Sequence, residues 1–167
     1  MTAPSTGSSA PSSPAPSASA GADAGAAVIA ALQLVLQAEN AAIWAYALVG
    51  TADADNTDTV EDMRAAHLVL RDAAAEQITR LGGQPNPPAA AYAVDAPADA
   101  AAARTLAIAL EADCAETWRA VVGNADVAAL RTFASGGLSG SAVRIVRWRR
   151  IAKISPVTLA FPGTANA

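Results

Sequence analysis

Four residues in this chain have side chains suited to metal or proton chemistry and fall on the inward seams of helical segments: Glu39, His67, Glu111 and Arg144. A bundle that holds two metal ions needs a Glu on each of two helices and a Glu-x-x-His on each of the other two. The carboxylates offset the metal charge and bridge the ions, while each imidazole gives a neutral nitrogen. Here one segment supplies Glu39, the next His67, and the third Glu111. The residue three before His67 is Arg64, where an acid would be needed. The fourth segment offers Ser141 and Arg144 at that spacing. A guanidinium repels a divalent cation and pairs well with carboxylates. The residues therefore predict a buried polar network of Glu39, Arg64, His67, Glu111 and Arg144. A single metal ion on Glu39, His67 and Glu111 is the alternative. No cofactor is otherwise expected.

The elements that position these groups read as four helices. Val28, Leu32, Val35, Glu39, Ala42 and Tyr46 follow alternating steps of four and three, the stripe of a core-facing helix from about Asp23 to Gly50. The polar run from Asp53 to Asp58 follows and should cap a second helix, Asp58 to Leu81, with Val60, Met63, His67, Leu70, Ala74, Ile78 and Leu81 on its stripe. Gly82-Gly83 stops it. Four prolines between Gln84 and Asp99 require an extended connection. A third helix starts near Asp99 and carries Leu106, Leu110, Cys114, Trp118 and Val121, with Glu111 beside them. A fourth begins near Asp126, is expected to break at Ser135-Gly136-Gly137, and resumes to about Lys153. Beyond Ser155-Pro156, Leu159 and Phe161 are available to pack back on the bundle.

Connection lengths select the topology. Short links make the first two helices antiparallel neighbours, and likewise the last two. The middle link of about 16 residues spans roughly 50 Å when extended, enough to cross the bundle from end to end. Glu39 and His67 then differ by only about 3 Å in height at 1.5 Å per residue. Arg144 is expected below that level unless the break at Gly136-Gly137 shortens the path.

Composition agrees with one helical domain. The chain has 167 residues, of which 53% are hydrophobic and only 4% aromatic. Residues 1–22 have no charged side chain and too little apolar surface to offset chain entropy, so disorder is expected there; the bundle occupies 23–163. The single cysteine, Cys114, excludes a disulfide within the chain, and without a Cys/His cluster a structural zinc site has no ligands. Cys114 together with His67 would suggest a thiolate nucleophile, but a cysteine in mid-helix on an apolar face reads as inert. The N-terminus shows no basic segment followed by an apolar run, and no stretch of about 18 unbroken apolar residues occurs, so a cytoplasmic protein without membrane contact is expected.

The formal net charge is −4, with every acid before residue 143 and a basic cluster, Arg144, Arg147, Arg149, Arg150 and Lys153, near the end. The basic helix is expected to pack on the acidic ones. Anion or nucleic-acid binding is the alternative it allows, although no nucleic-acid motif accompanies it. Trp44, Trp118 and Trp148 read as core or dimer surface.

Several segments taken together carry a resemblance. They are LQAENAAIWAY at 36–46, AHLVLRDAAAEQITRLGGQPNPPAAAYAV at 66–94, LEADCAETWRAVV at 110–122, AVRIVRWR at 142–149 and a closing FPG. With them the chain resembles the ferritin-like family of unknown function found in actinobacteria. The resemblance implies an all-α, ferritin-like four-helix bundle and no established activity. Together these readings give a non-enzymatic protein that acts as a homo-oligomer, a dimer, or through a protein partner. A degenerate iron- or manganese-binding bundle is the alternative.

Overall fold

In the computed structural model the backbone is described for residues 18–164 and side chains for 23–164. Four helices make up the architecture: α1 (Ala18–Ala52), α2 (Thr57–Arg80), α3 (Ala100–Asn124) and α4 (Ala128–Ile151), with a short 3-10 turn at Ala54–Asn56. The expectation of disorder over residues 1–22 falls mostly on residues outside those described, but α1 begins at Ala18, before the expected start. It also runs through Gly50 to Ala52. Gly50 does not stop the helix because it serves a contact: a Cβ there would lie 3.2 Å from a Val60 methyl.

Side-chain contacts fix the helix directions. Gly50 faces Val60 at one end of the α1–α2 pair, and Ile29 lies against Gly83 at the other, so these helices are antiparallel. Glu39 reaches Trp118 while Tyr46 reaches Glu111, which makes α1 and α3 antiparallel as well. Glu111 meets Arg144, and Trp118 meets Gly137, so α4 reverses again. The order is up, down, down, up. The segment 81–99 must therefore return along the bundle. It runs along α1, with Gln33 bonded to the Gln84 carbonyl (2.7 Å) and the Asn86 amide (3.0 Å), and Tyr92 set 6.1 Å from Trp44 between ring centroids. At its far end the Asp99 side chain caps α3 through the Ala102 amide at 2.8 Å. The crossover read from loop length is thus present.

α1 packs on both α2 and α3, and α3 packs on α4; α2 and α4 approach each other far less. The shared core holds Leu32, Val35, Tyr46, Ile78, Trp118, Val121 and Trp148. Burying each such large side chain contributes about 1.5–3 kcal/mol. The predicted stripe of α2 holds as far as Ile78, while Leu81 lies beyond the helix and is 41% exposed.

The predicted break in α4 is absent. Residues 128–151 form one helix. A Cβ on Gly137 would run into the Trp118 indole, so the glycine is there to admit the ring. The helix tolerates the weak formers Gly136 and Gly137, each about 1 kcal/mol worse than Ala, because its flanks are anchored on α3.

Among the described residues, one segment, Asp23–Ala52, is long and apolar enough on average to cross a membrane. The sequence contains no unbroken apolar run, but alanine raises the mean of this helix. The helix buries its apolar stripe within the bundle and carries Glu39 and Asn40 at mid-length, both buried.

Candidate functional site

The alternation of four and three that makes the helices amphipathic also aims Glu39, His67 and Glu111 at one level of the bundle. All three are 0% exposed. His67 lies between the carboxylates: Nδ1 is 2.6 Å from Glu39 Oε2, and Nε2 is 3.0 Å from Glu111 Oε1. A carboxylate can only accept, so both ring nitrogens must donate, and His67 is an imidazolium. Arg144 donates from Nε to Glu111 Oε2 at 2.8 Å and from Nη2 to Ser141 Oγ at 3.1 Å. On the antiparallel pair α3 and α4, Trp118 faces Gly137 and Glu111 faces Arg144, seven residues along on each helix, so Arg144 stands level with Glu111 and not below it as expected. Two anions and two cations therefore balance at the centre.

Aromatic donors complete the network, and the sequence reading missed them. Trp118 Nε1 donates to Glu39 Oε1 at 2.8 Å. Tyr46 donates to Glu111 Oε1 at 2.7 Å and accepts from Trp148 Nε1 at 2.7 Å. Every fully buried side-chain nitrogen and oxygen among the described residues has a partner. A signal was available: Tyr46 stands two turns after Glu39 on one seam, and Trp118 two turns after Glu111 on another.

The electrostatics follow from this geometry. Burial pulls the imidazole toward neutrality, but the hydrogen bonds and charges of Glu111 and Glu39 outweigh it, raising the His67 pKa from 6.5 to about 9. Burial would raise the Glu111 carboxyl, yet His67, Arg144 and Tyr46 together hold it below its ordinary value. Burial, then the Glu111 charge, pushes the Tyr46 phenol well up.

Arg64 does not join the network. It lies on the exposed flank of α2, and its only hydrogen bond among the described residues is a long one, 3.4 Å, from Nε to the Ile43 carbonyl. A step of three residues turns a helix by about 300°, which puts Arg64 some 60° away from His67. Cys114 instead comes close. Ligand atoms of Glu39, His67 and Cys114 lie within 4.8 Å of one another, although the sequence pattern puts Cys114 on an apolar face and outside the expected ligand set. Its thiol is buried and its pKa is driven well up by burial, then by Glu39 and Glu111.

These residues do not fit a resident di-metal centre. Each oxygen of Glu39 and Glu111 already accepts from a donor, and His67 has no lone pair to give. A guanidinium stands where a third carboxylate would be required.

A third buried acid lies at the end of the bundle. Asp53 is clasped by Arg104, with Nε to Oδ2 and Nη2 to Oδ1 both 2.8 Å, and accepts from Asn56 Nδ2 at 3.0 Å. The arginine, working against burial, holds its carboxyl below the usual range. The polar run thus ties the α1–α2 turn to α3, and Asn56 at the α2 start makes no side-chain cap.

The basic stretch of α4 is partly spent within the chain. Arg147 donates to Thr59 at 3.2 Å and lies 3.5 Å from Asp62, and Arg149 donates to the Pro156 carbonyl at 2.8 Å. Leu159 lines one cavity with Ile145 and Val146, while Phe161 is 73% exposed.

A family described as Domain of unknown function (DUF4439) matches residues 31–166. No curated protein matches. Among solved structures, the chain is similar to a conserved hypothetical protein, rv2844, from Mycobacterium tuberculosis. That similarity has 35% sequence identity and a TM-score of 0.72, and covers 76% of this chain and 98% of the other.

Proposed function

We propose, for a chain that belongs to the family described as Domain of unknown function (DUF4439), a non-enzymatic ferritin-like bundle whose metal centre has been replaced by an ion network. The up-down-down-up order supports the ferritin-like assignment. The mycobacterial relative supports an actinobacterial origin. The observation that carries the proposal is the clamped imidazolium: both nitrogens of His67 donate to buried carboxylates, so the site offers no free lone pair. Such a centre holds four helices in register and leaves function to the outer surface, through self-association or a protein partner in the cytoplasm. Trp44 (44% exposed) and Phe161 support an outward apolar surface.

A second reading takes support from Glu39, His67 and Cys114, whose ligand atoms cluster tightly enough for one metal ion. Binding there would require removing protons from both the imidazole and the thiol, whose surroundings favour keeping them. One purification decides between the readings. Protein produced with iron, manganese and zinc supplied is expected to hold less than about 0.2 metal per chain, since ligands that stay protonated do not bind. Near-stoichiometric metal would reverse the assignment. Sedimentation of the same sample tests the outer surface; a strict monomer without a partner in pull-down would remove the association role.

A further inference from the structure

The bundle is closed on three sides and open on the fourth. α2 and α4 stand apart, and between them runs a groove of about 430 Å³. Its walls are apolar, with Met63 and Ala66 from α2 and Val143, 67% exposed, from α4. The Arg144 side chain lines it as well. Nε is committed to Glu111 and Nη2 to Ser141, while Nη1 makes no hydrogen bond to protein among the described residues. Nη1 lies beside Gly140, where an added Cβ would come within 3.2 Å of it; the missing side chain leaves the nitrogen a cradle. One turn along the same wall Arg147 is half exposed, with Nη2 donating to Thr59 at 3.2 Å and lying 3.5 Å from Asp62.

We propose that this groove binds a small carboxylic acid with a short apolar tail. The carboxylate would take the two N–H donors of Arg144 Nη1 and the half-exposed guanidinium of Arg147, and the tail would cover Met63, Ala66 and Val143. A guanidinium edge already fixed by Glu111 and Ser141 loses little freedom on binding, which favours a charge-assisted pair. A cationic ligand would meet both arginines. A neutral apolar one would leave Nη1 unpaired beneath it. Asp62, exposed on the opposite wall, competes for Arg147 and keeps the affinity modest. The proposal rests on Arg144 being held by the ion network and not on the outer surface associating, so the sedimentation result leaves it untouched.

Titration of the full chain with hexanoate, followed by amide NMR, tests it, with hexanol and hexylamine as controls. Hexanoate is expected to bind in the low millimolar range and to shift the signals of Ala66, Gly140 and Val143. Hexanol should bind about tenfold more weakly, and hexylamine not at all. Arg147→Gln should weaken hexanoate about threefold to tenfold. Gly140→Val fills the cradle and should abolish the shifts in a protein whose spectrum is otherwise folded. Gly140→Ala, a better helix former, gives the same test with a smaller obstruction should the valine variant unfold. Equal binding of hexanoate and hexanol, shifts elsewhere on the surface, or undiminished binding in a folded Gly140 variant would overturn the proposal.

Discussion

Two buried carboxylates in this bundle are held by arginine, and they differ in what stands behind the pair. Glu111 shares its oxygens among Arg144, His67 and Tyr46, so three other helices converge on one side chain. Asp53 is clasped by Arg104 and Asn56 at the bundle end, and its arginine is 24% exposed to water. Loss of the first leaves a charged histidine sealed in the core and a charged arginine only 10% exposed. Loss of the second leaves an arginine that can turn to solvent. The lesson is that the worth of a buried ion pair depends on where the survivor goes when its partner is removed.

The largest effect should come from Glu111→Leu, which strands Arg144 and His67 at a cost of about 3–5 kcal/mol. Glu111→Gln keeps an acceptor for part of the network and should cost clearly less. Chemical denaturation of both variants checks this. A neutral leucine variant would mean that the centre is no more committed than the edge.

The two sites should also fail at opposite ends of the pH scale. The folded pKa of His67, about 9, lies above its ordinary 6.5. Its contribution is therefore fully present below 6.5 and lost as pH rises through about 9, worth roughly 3 kcal/mol over that window. Asp53 is depressed, so its contribution is present above the ordinary carboxylate pKa and lost as pH falls through the lower folded value. Denaturation midpoints from pH 6 to 10 should decline in the wild type. A flat profile would remove the distinction between centre and edge.

Gly137→Ala sharpens the comparison through packing. The new Cβ drives into Trp118, the ring that holds Glu39, and should cost about 1–3 kcal/mol. Gly136→Ala meets nothing within 4 Å and should stabilise by up to about 1 kcal/mol. Melting curves that move in the same direction for both would show that Gly137 is not fitted to the indole.

Much of this centre could be read from residue spacing, because a seam position constrains what an acid or histidine must face. Glu39, His67, Glu111 and Arg144 follow from that rule. Arg64 does not, since spacing borrowed from a metal motif took precedence over helix phase. The glycines of α4 were misread because Gly has two uses, flexibility and close approach, and only the ring opposite tells them apart. The Asp53–Arg104 clasp was invisible for a different reason. Asp53 stands in a run of polar loop residues of types that cap helices, and its partner is about fifty positions away across the crossover. Cys114 had the right seam, but its distance from His67 depends on helix separation, which no spacing encodes.

The smallest expected effect is that of Asp53→Asn, about 1 kcal/mol, because Arg104 is partly hydrated already. A loss equal to that of Glu111→Leu would put edge and centre in one class.

The central claim is that a protonated histidine occupies the place of metal ions. NMR of the ring nitrogens of His67 tests it most directly, since this is the only histidine in the chain. Both nitrogens should carry protons at pH 7, with a single titration midpoint near 9. A midpoint below 6.5, or one unprotonated nitrogen at neutral pH, would contradict the clamped imidazolium and return the site to metal binding or to a neutral core.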